Sequence, residues 1–188
     1  MPPTFEFVKP REFAALTRVM RIRGVDVYVH WTVFLIALLL LWFAGRKPVM
    51  TLTGIVSLLG LLLLHECGHM IAAQRLRTHV REIRLYPIFG ICCFDPPWSR
   101  FDHCVIAWGG VLAQVVVAFP LVLWTSFFGY SRFESINTVL AIFGGYSLVV
   151  AAINLLPIGR LDGATAWYIV PEFFRRLRRK PSKKSQWR

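Results

Sequence analysis

Residues 65–69 read His65-Glu66-Cys67-Gly68-His69 and follow an unbroken apolar stretch, Leu61-Leu62-Leu63-Leu64. On a helix, side chains four residues apart project from one face, so the two imidazoles can reach a single metal ion. Glu66, beside the first imidazole, can take a proton from a metal-bound water. Buried histidines are usually satisfied by neighbouring polar groups. Here three ionisable side chains fall within five residues of an apolar helix, where each costs about 3 kcal/mol unless a functional partner compensates it. A catalytic zinc takes three protein ligands plus water, so two histidines leave it one short. The candidate is Asp162, in the stretch Asn154-Leu155-Leu156-Pro157-Ile158-Gly159-Arg160-Leu161-Asp162-Gly163. Pro157 ends the helix before it, and irregular backbone at membrane depth survives only where protein covers it or where it lines a wet cavity. Asp162 has a second reading, as the cap of a helix from Ala164 onward with Gly163 shaping the turn. Spacing alone leaves the two readings near even.

The elements that must hold these residues follow from composition. The chain has 188 residues, 22 Lys+Arg against 10 Asp+Glu, a net charge of +12, 56% hydrophobic residues and only 17% charged ones. A soluble domain carries about 25% charged residues, and a chain this apolar is not disordered. Basic charge alongside long uncharged runs reads as a membrane protein with basic cytoplasmic edges, not as a nucleic-acid binder. A spanning helix needs about 20 apolar residues. Four stretches meet or approach that length: Val27 to Gly45, Val49 to Ala73, Cys104 to Phe128 and Ile136 to Leu156. The piece between Leu85 and Phe94 is too short to span and is broken by Pro87 and Gly90, so it reads as a re-entrant or short strand-like segment near residues 85–94. The expected fold is therefore an all-α polytopic membrane protein with about four transmembrane helices. Its organisation is an N-terminal cytoplasmic segment (1–24), a core (25–174) and a basic tail (175–188). The first 24 residues carry Glu6, Glu12, three prolines and five basic groups before any apolar run, so no cleavable leader is expected there.

Nineteen of the 22 basic residues fall before the first stretch, between the second and third, or after the fourth; only Arg46, Lys47 and Arg132 lie in the other two connections. The positive-inside rule then puts both termini in the cytoplasm. Arg75 marks the cytoplasmic end of the second stretch, which puts His69 roughly 9 Å and His65 roughly 15 Å inside it. The run Arg175-Arg176-Leu177-Arg178-Arg179-Lys180 reads as an anchor on anionic lipid.

Other residues carry less. Cys92 and Cys93 are adjacent and Cys67 sits in an apolar run, so the four cysteines read as free thiols. His30 reads as interfacial, His79 and His103 as solvated in the basic loop, and Gln114 as an interhelical hydrogen bond. Gly109-Gly110 and Gly144-Gly145 read as close helix packing.

Taken together, His65-Glu66-Cys67-Gly68-His69 and, about ninety residues on, Asn154-Leu155-Leu156-Pro157 with Leu161-Asp162-Gly163 resemble the site-2 protease family of intramembrane zinc metalloproteases. The lead-in Arg21-Ile22-Arg23-Gly24-Val25-Asp26-Val27-Tyr28-Val29-His30 resembles the short, sporulation-factor-processing branch, which has no PDZ domain. The resemblance implies zinc held by His65, His69 and Asp162, with Glu66 as general base and Asn154 pointing into the site. It also implies that Leu85-Tyr86-Pro87-Ile88-Phe89-Gly90 offers a strand edge to an unwound substrate. The family's small-Gly-Pro turn is replaced here by Trp108-Gly109-Gly110-Val111, its Pro-x-Pro by Pro157-Ile158-Gly159, and no second Gly follows Asp162-Gly163. The expected activity is cleavage of a transmembrane or membrane-tethered protein near the cytoplasmic side of a prokaryotic plasma membrane, as in regulated intramembrane proteolysis. The alternative is a membrane protein that binds zinc and clients without cutting; the intact Glu66 argues against it.

Overall fold

The computed structural model describes residues 15–159 and 161–178. Arg160, residues 1–14 of the expected N-terminal segment and residues 179–188 of the basic tail lie outside the described residues. The elements are β1 (Leu16–Ile22), β2 (Val25–His30), α1 (Trp31–Trp42), α2 (Pro48–Arg75), β3 (Val80–Leu85), β4 (Gly90–Phe94) and α3 (Arg100–Phe128). These are followed by α4 (Glu134–Asn154), α5 (Gly163–Ala166) and α6 (Ile169–Arg178). A π-helical turn, Ile142–Tyr146, interrupts α4.

Among the described residues three helices, α2, α3 and α4, are long and apolar enough to cross a membrane. The expected first span is corrected: the run from Val27 to Gly45 is not one helix. Val25, Val27 and Val29 alternate as buried residues with Asp26, Tyr28 and His30, and that period of two, carried by β-branched valines, belongs to a strand. His30 ends the strand and caps α1, its Nδ1 accepting from the Thr32 N–H at 3.3 Å. The 12 residues of α1 cover only about 18 Å, short of the roughly 30 Å hydrocarbon core. The all-α expectation is corrected with it. A four-stranded sheet, order β1-β2-β3-β4, accompanies the helices, and its β4 occupies the segment read as strand-like.

Strand and short helix together still cross the molecule. At one end Gln74 of α2 exchanges hydrogen bonds with Arg23, donating to its carbonyl at 3.3 Å and accepting from its Nε at 3.2 Å. At the other end a short turn joins α1 to Pro48. From Gln74 back to Pro48, α2 runs about 39 Å; β2 plus α1 come to about 38 Å. The Lys47–Glu134 ion pair at 3.1 Å places the start of α4 at that same far end. Arg23, the end of α2 and the end of α4 therefore share one end of the bundle.

The sheet wraps the near end of α2. β1 turns into β2 through Arg23 and Gly24, both at positive φ (49° and 88°), the backbone a tight hairpin needs. β2 and β3 run parallel across the α1–α2 crossover, and β4 pairs antiparallel to β3 at the sheet edge. Val25, Val27, Val29, Val33, Met70, Ala73, Ile83, Leu85 and Ile106 form one core between sheet and helices.

α2 and α3 approach most closely through glycine. A Cβ on Gly109 would stand 2.6 Å from the Gly68 carbonyl oxygen and 2.9 Å from the Ala72 Cβ. One on Gly68 would collide with the Gly109 carbonyl and stand 2.8 Å from the Ala113 Cβ. Small residues four apart on both helices let the backbones touch. Gly109→Ala is expected to lower stability by about 1–3 kcal/mol. Gly145→Ala, with nothing within 4 Å of the added methyl, should leave it nearly unchanged. Unfolding midpoints of the two variants in detergent check this.

Candidate metal centre

Helical spacing brings His65 and His69 of α2 to one face, and both are buried. Their Nε2 atoms lie 3.0 Å apart. Asp162 Oδ2 reaches both, at 3.0 Å from His65 Nε2 and 3.3 Å from His69 Nε2. Each ring is held by its other nitrogen. His69 Nδ1 is 2.8 Å from the Ile106 carbonyl oxygen and His65 Nδ1 is 3.0 Å from Gln114 Oε1. Both partners are acceptors, so each Nδ1 carries the proton and each neutral ring turns a lone pair inward from Nε2.

Two imidazole lone pairs and a carboxylate oxygen thus converge on one small volume. The oxygen is buried without a hydrogen-bond partner among the described residues. A single shared proton would satisfy two of these atoms; a cation among them satisfies all three. Two nitrogens and a carboxylate oxygen, with room left for water, suit zinc. These three residues form the group of possible metal-holding side chains among the described residues.

The surroundings are built to leave that volume open. A Cβ on Gly110 of α3 would stand 2.6 Å from His65 Cε1 and 2.6 Å from His69 Nε2. Glu66 is 5% exposed and lies against the first residue of β4, where a Cβ on Gly90 would come 2.5 Å from its Cγ and 2.6 Å from its Oε1. The general-base candidate is therefore wedged between α2 and the sheet edge.

Asp162 stands at the cap position of α5, but its side chain makes no capping hydrogen bond; it turns to the histidines instead. Gly163 permits the turn, since a Cβ there would collide with the Leu155 carbonyl. Two indoles fasten the segment: Trp167 Nε1 donates to the Leu155 carbonyl at 2.7 Å and Trp108 Nε1 to the Ala166 carbonyl at 3.1 Å.

Asn154 is the last residue of α4, half-buried, and its amide has no hydrogen-bond partner among the described residues. His30 caps α1 and stacks on Tyr86, with ring centroids 5.2 Å apart. His79 is exposed, and His103 lies in the first turn of α3, not in a loop, beside Phe94. The four cysteines are free. Gln114 is the interhelical hydrogen bond that its polarity suggested, but its partner is His65. Sequence reading missed that pairing, together with the Ile106 carbonyl and the space at Gly110 and Gly90. A signal was present: 106, 110 and 114 are four apart, one stripe of α3, and Gln114 is its polar member.

Gln114 is 1% exposed, and its Oε1 fixes which His65 nitrogen carries the proton. Gln114→Leu is expected to weaken zinc binding by about 10–100-fold, while Gln114→Glu, which keeps an acceptor, retains most of it. Competition titration with a metal chelator measures both.

With the fold and this geometry in view, the chain can be set beside known proteins. No protein-family model and no curated protein sequence matches it. Among solved structures it is similar to the "Site-2 Protease from Methanocaldococcus jannaschii", with a TM-score of 0.66 and 21% identity; the match covers 84% of this chain and 72% of that one. The chain is an integral membrane protein whose fold is that of a site-2 protease.

Proposed function

We propose that this chain is an intramembrane zinc metalloprotease of the site-2 type. One observation carries the reading: His65 Nε2, His69 Nε2 and Asp162 Oδ2 converge within 3.3 Å of one another or less, beside a buried carboxylate that is not part of the cluster. Zinc held by these three residues would supply a Lewis acid that acidifies water and polarises a peptide carbonyl.

The protein's own residues divide the remaining work. Gln114 and the Ile106 carbonyl hold the two imidazoles in the tautomer that turns Nε2 inward. Glu66 accepts the water's proton and, after attack, returns it to the leaving amine. β4 is the outer strand of the sheet and starts at Gly90, in contact with Glu66. A substrate helix hides its carbonyls, so it must unwind; an unwound stretch added to the β4 edge would pass beside Glu66. Asn154, with its amide unpaired, steadies the scissile carbonyl at the exit of α4. A structural zinc site closes four protein ligands and needs no base, so Glu66 and a donor set of three protein residues favour cutting over mere binding of clients.

The substrate class is a transmembrane or membrane-tethered protein, cut near the cytoplasmic face as in regulated intramembrane proteolysis. Arg21, Arg23, Arg75 and Arg77 gather at the end of the bundle shared by Arg23 and Gln74, which supports placing that end in the cytoplasm of a prokaryotic cell. A reporter fused at Gly45 is expected to be external and one at the C-terminus cytoplasmic; the opposite result at Gly45 would invert the orientation.

Glu66→Gln is expected to lower cleavage of a co-expressed membrane substrate by at least about a thousandfold while zinc stays bound. His65→Ala and His69→Ala should lose both. Asp162→Asn separates ligand from cap, because Asn caps as well as Asp but binds zinc far less well. It should lose zinc and activity while membrane insertion is unchanged. Metal analysis of purified variants and a cleavage assay read these outcomes; normal cleavage by Glu66→Gln would end the protease reading.

A further inference from the structure

α6 raises a question that the site does not answer. Its sequence, Ile169-Val170-Pro171-Glu172-Phe173-Phe174-Arg175-Arg176-Leu177-Arg178, places apolar residues at 170, 173 and 174, one helical stripe. That stripe is not buried in the protein: Val170, Phe173 and Phe174 are 50%, 51% and 55% exposed. Lipid-facing exposure is ordinary on a spanning helix, but ten residues make only about 15 Å, half of a bilayer core. The stripe therefore needs a different occupant.

Position and charge identify it. α6 packs against α3, and Glu172 lies within electrostatic range of Cys104, in the first turns of that helix. Those turns belong to the basic end of the bundle, since β4, which leads into α3, pairs its Phe94 with Val80 just past the end of α2. Trp167 and Tyr168, immediately before α6, are exposed aromatics of the kind that settle at the level of lipid headgroups. Glu172, the one acidic residue of α6, is neutralised by Arg175 at 3.1 Å. From Arg175 to Lys180 five of six residues are basic.

We infer that α6 is an interfacial helix that docks on anionic phospholipid: it lies along the cytoplasmic face of the bilayer with Val170, Phe173 and Phe174 in the acyl boundary and Arg175 among acidic headgroups. The inference needs neither zinc nor proteolysis. A bare anchor of charge would work from a disordered tail; the apolar stripe adds a defined depth and direction. α6 follows Asp162 by a single short helix, so its berth on the lipid also bounds where the Asp162 segment can move.

The full chain, reconstituted into vesicles of phosphatidylcholine with or without phosphatidylglycerol, tests this by amide hydrogen exchange of residues 169–175. Exchange is expected to be about tenfold slower with phosphatidylglycerol, and the difference should shrink as salt is raised. Arg175→Gln, Arg176→Gln and Arg178→Gln together should remove most of the tenfold difference, and Phe173→Ser with Phe174→Ser should abolish it. Amides of α2 report the fold in every sample. The comparison on the unaltered chain needs no substitution, so misfolding cannot imitate it. Equal exchange in the two lipids would overturn the inference, as would protection that rises with protein density, which would assign the stripe to a second copy. Zinc content measured on the same samples keeps the result separate from the fate of the protease reading.

Discussion

Two helix backbones can touch only where neither carries a side chain, and the contact of Gly68 with Gly109 governs what surrounds it. It brings α3 close enough for the Ile106 carbonyl and the Gln114 amide to reach His69 and His65 at 2.8 and 3.0 Å. Had either glycine been larger, both imidazoles would lose the partners that set their tautomers. Buried imidazole nitrogens without partners cost about 1–3 kcal/mol each, and the inward lone pairs would no longer be defined. The residues that fix the rings and the glycine that leaves room for them lie on one stripe of α3, four apart. Trp108, on the same helix, holds the segment that carries Asp162. One stretch of α3, residues 106 to 114, thus orients both histidines and fastens the segment that brings the carboxylate to them, although all three donors belong to other elements.

The sheet solves a different constraint. Backbone N–H and C=O groups in hydrocarbon must be paired, and an open sheet within a bilayer would leave an edge exposed. Here β1 lies at one edge and β4 at the other, with β4 against α2 and Glu66. The arrangement runs the outer strand past a buried carboxylate, which accepts a hydrogen bond from the Cys92 backbone. An extended peptide completes such an edge at little cost, whereas a helical one cannot. Gly90 is small because Glu66 occupies the space its side chain would take.

The ionisable cluster was legible because charge in an apolar helix is expensive: His65, Glu66 and His69 needed no structure to be singled out. The three long helices were legible for the same reason, in hydropathy. The first passage was not. Val25 to His30 alternates and Trp31 to Trp42 does not, but a hydropathy window averages both into one apolar run, so a strand followed by a short helix read as a span. Gln114 was recognised as a polar interhelical contact without its partner, because a sequence does not state which turn of α2 faces which turn of α3. That register depends on Gly68 meeting Gly109, and several glycine pairs in the chain could have met. An identity of 21% over a shared fold fits the same physics: lipid-facing positions need only be apolar, so most of the surface carries little recognisable sequence.

Asp162 shows how an ambiguity of sequence can be a feature of design. Ligand and helix cap were near even on spacing because the residue meets both descriptions. The structure keeps it at the cap position and withholds the capping bond. The amides at the start of α5 forgo a side-chain partner that would have stabilised the helix by about 1 kcal/mol. What compensates is tertiary: the Trp167 and Trp108 indoles bind carbonyls on either side of the segment, and Gly163 tucks under Leu155. A carboxylate released from its local role and clamped from both sides is held where two lone pairs need a cation, which is a reason to read the lost cap as the cost of a ligand.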